Sequence, residues 1–173
     1  MTANQLEPEA HLQAQCNSVL WLLGHVGWFQ EWWIGRNTQR DLGERCPPQP
    51  VRLASIEPSA DVCYNPALST RAQRSMEKQG YPDLQTTKTY LLETLESTLE
   101  LLEKTQEHDD SLYFYRMALA REDQISEQLA VLAQAMGLKM QLPASAVFAA
   151  RQPLAMPATR WPLGTPAGGF AWD

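Results

Sequence analysis

The sequence predicts an all-α protein, an antiparallel helical bundle followed by an irregular tail. Three segments, each about 25 residues long, have the apolar spacing of amphipathic helices, and strand-like alternation is rare. The chain after about residue 140 is rich in Pro, Ala and Gly, which disfavour regular structure. We therefore expect a helical domain over residues 1–140 and an extended tail over residues 141–173.

The first predicted helix covers about residues 8–35. Its apolar residues recur at steps of three and four, as in Leu22, Val26 and Phe29. A neighbouring face carries four rings: Trp21, His25, Trp28 and Trp32. The prolines of CPPQP at 46–50 then enforce extended backbone. A mostly irregular connection follows, with a short helix predicted over 67–78.

The second long helix is predicted over about 84–106 and the last over about 111–136, where Gly137 is placed to end it. The apolar stripes are Leu84, Leu91, Leu95 and Leu102 in the former, and Tyr115, Ala118, Ile125, Leu129 and Leu132 in the latter. His108 lies in the polar turn between the two helices, and we expect a surface residue there. A short helix is also predicted near 145–150.

Composition excludes several classes of function. The net charge of −6, with Lys and Arg scattered, argues against a nucleic-acid partner. The apolar stretch at 19–34 is too short and too polar to cross a membrane. Glu7 and Glu9 precede any apolar run, so no signal peptide is predicted. Three widely spaced cysteines, without CxxC spacing, indicate the reducing cytoplasm rather than disulfides or zinc.

Longer motifs resemble one enzyme family. The segment LYFYRMALAREDQISEQLAVLAQAMG (112–137) resembles the last helix of the DinB-like domain in iron-dependent sulfoxide synthases, which make ergothioneine, ovothiol and selenoneine. The segment LWLLGHVGWFQEWWIGRN (20–37) is similar to the family's LWELGHIAWFQEWW. VRLASIEPSADVCYNPALSTRAQR (51–74) resembles its substrate loop. MPATRWPLGTPAGGFAWD (156–173) resembles the start of its second, formylglycine-generating-enzyme-like domain. The selenoneine-synthase-like branch is the most similar.

The resemblance also implies a degenerate metal site. In the family, one histidine of the LWELGH segment and two histidines four residues apart on the last helix bind iron. His25 stands at the first position, while Arg121 and Ile125 stand at the other two. A guanidinium and a branched alkyl group do not coordinate iron, and a lone histidine seldom holds a transition metal. We therefore expect no metal cofactor and no catalytic residues.

The segment that resembles the family's substrate loop keeps some of that loop's residues and not others. Tyr64, Arg71 and Arg74 align with the family's Tyr, His and Arg, but the neighbouring Asp-Ser-Ser has become Asn-Pro-Ala. An arginine pair also occurs on many plain surfaces, so we favour solvated surface for Arg71 and Arg74. If Arg121 is buried, we expect it to be held by a carboxylate or by backbone carbonyls.

By resemblance, the chain is the N-terminal domain of an enzyme that uses iron and oxygen to join sulfur or selenium to the imidazole of trimethylhistidine. By its own residues, we predict a non-catalytic structural or interaction module. Two alternatives stay open: a residual metal-dependent thiol or selenol enzyme that uses His25, and a small-ligand-binding module. The family's first helix is shortened here, so we also predict a homodimer or larger homo-oligomer.

Overall fold

The computed structural model describes residues 17–75, 81–139, 152–160, 162–164 and 170–171, and within these residues the protein is mostly helical. The described residues form no strand; one isolated antiparallel bridge joins Asn37 to Arg52. The predicted all-α class is therefore confirmed. No helix among the described residues is both long enough and apolar enough to span a bilayer.

The first helix, α1, covers Val19–Gln30 and continues as a π-helical turn over Glu31–Gly35. The Ser18 side chain caps α1 by accepting a hydrogen bond from the Trp21 amide at 3.2 Å. The end of the predicted helix at residue 35 is confirmed. Its first part, before residue 17, lies outside the described residues.

A long connection follows α1 and contains three short helical segments. A 3₁₀ segment covers Arg40–Arg45, α2 covers Ala60–Tyr64 and α3 covers Arg71–Ser75. The predicted short helix at 67–78 corresponds to α3, whereas α2 was not predicted. Five residues are too few for a periodic pattern, so α2 leaves no clear signal in the sequence.

Two long helices complete the described fold, and both lie within a few residues of their predicted bounds. The first, α4, covers Leu84–Glu103 and is capped by Asp83; the second, α5, covers Asp109–Ala135 and is capped by His108. His108 is an exposed residue, as predicted, and its ring accepts a hydrogen bond from the Ser111 amide. Gly137 follows α5 with a φ of 68°, the left-handed conformation of a helix terminator.

Helix α1 lies at the centre, packed against α4 and α5, while α4 and α5 hardly touch each other. The face that α4 buries is Thr87, Tyr90 and Thr94. The predicted leucine stripe of α4 is therefore not its buried face. Only Leu91 is partly buried, and the other three, Leu84, Leu95 and Leu102, are exposed. The stripe of α5 is correct: four of its members are buried, namely Tyr115, Ala118, Ile125 and Leu132.

The described parts of the tail, 152–160, 162–164 and 170–171, form neither helix nor strand. One of them contacts the bundle: the ring of Phe170 meets the edge of Tyr113 on α5, with 5.5 Å between centroids. The short helix predicted near 145–150 lies outside the described residues.

Candidate functional site: an imidazole and a guanidinium in the bundle core

His25 lies deep in the core, on the middle of α1. It is 1% exposed, and its ring stacks between two tryptophans of the same helix. The centroid distances are 4.6 Å to Trp21 and 5.4 Å to Trp28. Trp28 in turn stacks on Trp32 at 5.1 Å. The four rings predicted to share one face of α1 therefore form a continuous stack.

Both nitrogens of the His25 ring have defined partners. Nδ1 lies 2.9 Å from the backbone carbonyl oxygen of Tyr64, at the end of α2. Since a carbonyl only accepts, Nδ1 carries the proton, and Nε2 presents its lone pair to the core. Metal-binding histidines use the same arrangement, in which one nitrogen donates to a carbonyl and the other is free to coordinate.

A glycine on α1 permits this contact. A Cβ atom at Gly24 would lie 2.1–2.2 Å from ring carbons of Tyr64, which is 0% exposed. Only a residue without a side chain lets α2 approach α1 so closely. The hydroxyl of Tyr64 is fixed on the far side by Thr87 of α4, at 3.2 Å. The Tyr64 carbonyl is therefore held rigidly over His25.

Arg121 occupies the space in front of Nε2. Its Nη2 lies 3.0 Å and its Nε 3.3 Å from His25 Nε2, so the guanidinium donates to the imidazole lone pair. Ile125, one turn further along α5, is 1% exposed and packs in the same core cluster as Trp21 and Tyr64. Of the three positions that the family resemblance assigns to metal ligands, His25 and Arg121 are thus in direct contact, and Ile125 is buried one turn further along α5.

The partners of Arg121 differ from the prediction. We expected a carboxylate or backbone carbonyls, yet within the described residues the guanidinium binds two neutral groups, His25 and the amide oxygen of Gln124 at 3.0 Å. Glu122, the nearest acid along the helix, is exposed and accepts a hydrogen bond from Gln30 instead. The prediction is wrong because His25 already supplies an acceptor at the position where Arg121 enters the core.

The surroundings keep His25 neutral. Burial lowers the pKa of its imidazole to about 4, against an ordinary value of 6.5, and the charges of Arg121 and Arg74 act in the same direction. The Tyr64 carbonyl opposes this shift. Burial, and then the charge of Arg74, also lower the pKa of Arg121. The site therefore holds one fixed positive charge beside a neutral imidazole.

The arginines that resemble those of the family's substrate loop, Arg71 and Arg74, have different surroundings. Arg71 is exposed on α3. Arg74 is half-buried: its guanidinium donates to the carbonyls of Pro66 and Ser69 at 3.1 and 2.9 Å, and lies 5.1 Å from the ring centroid of Trp21. The prediction of plain solvated surface therefore fails for Arg74, which fastens the loop to α1.

A second group of charged residues was not predicted as a site. Glu31, in the π-helical turn, is 2% exposed and accepts hydrogen bonds from the hydroxyls of Tyr90 and Ser55 at 2.6 and 2.7 Å. Asp61 on α2 accepts two bonds from Arg36, at 2.8 and 3.0 Å.

Trp28 adds a third bond to Asp61, at 2.8 Å. Burial raises the pKa of Asp61, but the hydrogen bonds from Arg36 and Trp28 lower it by more. The pKa of this carboxyl therefore lies below its usual value. These contacts fasten the connection to α1. Their signal in the sequence is the charged Glu31 at the end of an apolar helix.

No three His, Cys, Asp or Glu side chains within the described ranges are grouped as metal ligands would be. A scan against models of protein families finds no match for the chain. A search of curated proteins finds no match either.

Proposed function

We propose that this chain is a DinB-like helical domain of the sulfoxide-synthase type in which an arginine has taken the place of the metal. One observation carries the proposal: the guanidinium of Arg121 donates to the nitrogen of His25 that would otherwise coordinate an ion. The two residues are 96 positions apart in the chain, so their meeting depends on the packing of α5 against α1. Their meeting supports the alignment of this chain with the family.

The residues present do not fit iron. A ferrous site is built from several neutral or anionic donors, such as imidazoles, carboxylates and water. Here one imidazole faces a fixed cation, and the third position is an alkyl side chain. A divalent ion at Nε2 would stand next to the guanidinium, which repels it.

The proposed role is accordingly a non-catalytic structural or interaction module. Arg121 stabilises the neutral imidazole, and the imidazole in turn joins α5 to the Tyr64 end of α2. The internal cation thus links helices that are far apart in sequence. Such a link preserves the bundle without requiring a metal to be supplied.

The proposal is tested by the metal content of the protein. The chain is purified without a polyhistidine tag, incubated anaerobically with ferrous iron, desalted and subjected to elemental analysis, beside a His25→Ala variant. We expect both proteins to retain far less than one equivalent of iron. About one equivalent in the unaltered protein, lost in His25→Ala, would overturn the proposal and favour a metal-dependent enzyme.

A further inference from the structure

The leucines that α4 does not bury form a regular stripe. Leu92, Leu95, Leu99 and Leu102 follow each other at steps of three, four and three residues, the a and d spacing of a coiled-coil seam. All four are exposed. A seam of this kind on a surface helix is the ordinary means of binding another helix.

The stripe borders a groove. Because α4 and α5 both pack on α1 but hardly touch each other, an apolar groove of about 280 Å³ opens between them. Ile34 lies at its floor, Leu95 and Leu102 on the α4 side, and Leu112 and Leu119 on the α5 side. On α4 the stripe is about 15 Å long, at 1.5 Å per residue, which corresponds to roughly three turns of a bound helix.

The charges beside the groove indicate which kind of helix could bind there. On the solvent side of the stripe, α4 carries a row of four exposed glutamates: Glu93, Glu96, Glu100 and Glu103. On the α5 side stand Glu122 and Asp123, both exposed. Arg116 also lines the groove, but its charge is paired with Asp109 at 2.6 Å. Of these acids, Glu122 lines the groove itself, and Glu96 and Glu103 flank the leucine stripe at the positions that follow Leu95 and Leu102. A bound helix would therefore meet acidic side chains beside its apolar contacts.

This charge pattern disfavours two possible occupants of the groove, the N-terminal residues of the same chain and a second copy of the chain. Residues 1–16 contain Glu7 and Glu9 and no Lys or Arg, so they lack the basic side chains that would pair with the glutamates. A second copy would bring its own α4 glutamates against those of the first, in a protein whose net charge is already −6. The self-association expected from the sequence stays a prediction, but this groove does not favour it.

We propose that the groove between α4 and α5 binds an amphipathic helix of another protein. The apolar stripe of that helix lies on the leucines, and Lys or Arg residues beside the stripe meet the glutamates of α4. This inference deepens the proposed function, since it gives the interaction module a class of partner. Its test does not involve iron, so the two proposals fail separately.

The probes are two fluorescein-labelled peptides of about 21 residues, three heptads with leucine at a and d. One peptide has lysine at every e and g position, and the other has glutamate. Fluorescence anisotropy with the full chain measures both affinities. We expect the lysine peptide to bind at least about tenfold more tightly, with an affinity that falls as salt rises. Equal binding of the two peptides, or binding of neither, would overturn the proposal.

Substitutions locate the binding. Leu99→Glu should lower the affinity for the lysine peptide by about tenfold or more, because it places a charge in the apolar seam. Leu154→Glu, at an exposed position of the tail, should change nothing. Circular dichroism verifies folding, and Leu95→Gln is the milder second variant. Unchanged binding in folded Leu99→Glu and Leu95→Gln would exclude the groove.

A charge reversal tests whether the peptide recognises the glutamates beside the groove or is attracted only by the net charge of the protein. Glu96→Lys with Glu103→Lys should reverse the preference, so that the glutamate peptide binds more tightly. Asp41→Lys with Glu127→Lys makes the same change in net charge at exposed positions outside the groove and should preserve the preference. Equal effects of the two pairs would contradict specific recognition. A dimer in light scattering that Leu99→Glu dissociates would assign the groove to a second copy instead.

Discussion

Two arginines that pack beside α1, Arg36 and Arg121, differ in the partners that their guanidinium groups find. Arg36 meets Asp61 through two short hydrogen bonds, and the carboxylate also accepts from Trp28. Arg121 enters the core from α5 and finds only the neutral groups of His25 and Gln124 among the described residues. The first guanidinium is compensated by an opposite charge, whereas the second meets only neutral acceptors in the part of the chain that the structure describes.

The difference shows how each site is built. A charge-compensated pair such as Arg36 and Asp61 fastens a loop to a helix and is complete in itself. At the site of His25 and Arg121, the imidazole is oriented by the Tyr64 carbonyl, and its lone pair accepts a hydrogen bond from the guanidinium. An apolar residue at this position would avoid the cost of a half-buried charge that meets only neutral acceptors among the described residues. Removal of a charge should therefore cost much more stability at the site of Arg36 and Asp61 than at the site of His25 and Arg121.

The largest effect is expected from pH. The folded-state pKa of His25, about 4, lies below its ordinary value of 6.5, so the unfolded chain takes up the proton first as pH falls. Stability is complete above about pH 6.5 and decreases toward pH 4, by roughly 3 kcal/mol from this residue. Urea unfolding across this window, compared with His25→Gln, isolates the contribution. Parallel stability curves for the two proteins would show that His25 is not buried in its neutral form.

A somewhat smaller loss is expected at the compensated site. Asp61→Ala leaves Arg36 and the Trp28 indole without their acceptor, and should cost about 2–3 kcal/mol, since Asp61 remains partly in contact with water. Asp109→Ala removes the exposed partner of Arg116 and should cost no more than about 0.5 kcal/mol. Denaturant unfolding measures both changes. Equal costs would mean that the bonds around Asp61 contribute no more than a surface ion pair.

The smallest effect is expected at the uncompensated site. Arg121→Met removes a cation that meets no opposite charge among the described residues, which should be stabilising, but it also leaves His25 Nε2 without its donor. These effects oppose each other, so stability should change by less than about 1 kcal/mol. The same substitution should raise the pKa of His25, because Arg121 is one of the charges that lower it. NMR titration of the imidazole measures that pKa. A destabilisation of several kcal/mol would show that Arg121 has a strong partner after all.

The sequence was sufficient to predict the long helices, since their signals are local. Gly137 was predicted to end the last helix, and the structure ends α5 at Ala135 with Gly137 at a φ of 68°. The buried face of α4 was predicted wrongly because hydrophobicity alone favours its leucines. The structure buries Thr87 and Tyr90 instead, which bond to Tyr64 of the connection and Glu31 of the π-helical turn.

The candidate site was predictable in part. The motifs placed His25, Arg121 and Ile125 in one group. The structure joins Arg121 to His25 by hydrogen bonds and buries Ile125 one turn further along α5. The partner of Arg121 was not predictable, because nothing local indicates that an imidazole rather than a carboxylate lies opposite. The bonds around Asp61 were missed for the same reason, since they depend on where the irregular connection returns to α1.

The central claim is that Arg121 and Ile125 stand where metal ligands would stand. Replacing both, with Arg121→His and Ile125→His, should present three imidazoles to one point and create a binding site for ferrous iron. Elemental analysis after anaerobic loading should give about one equivalent of iron, and adding His25→Ala should abolish it. A double variant that folds normally and binds no iron would contradict the claim.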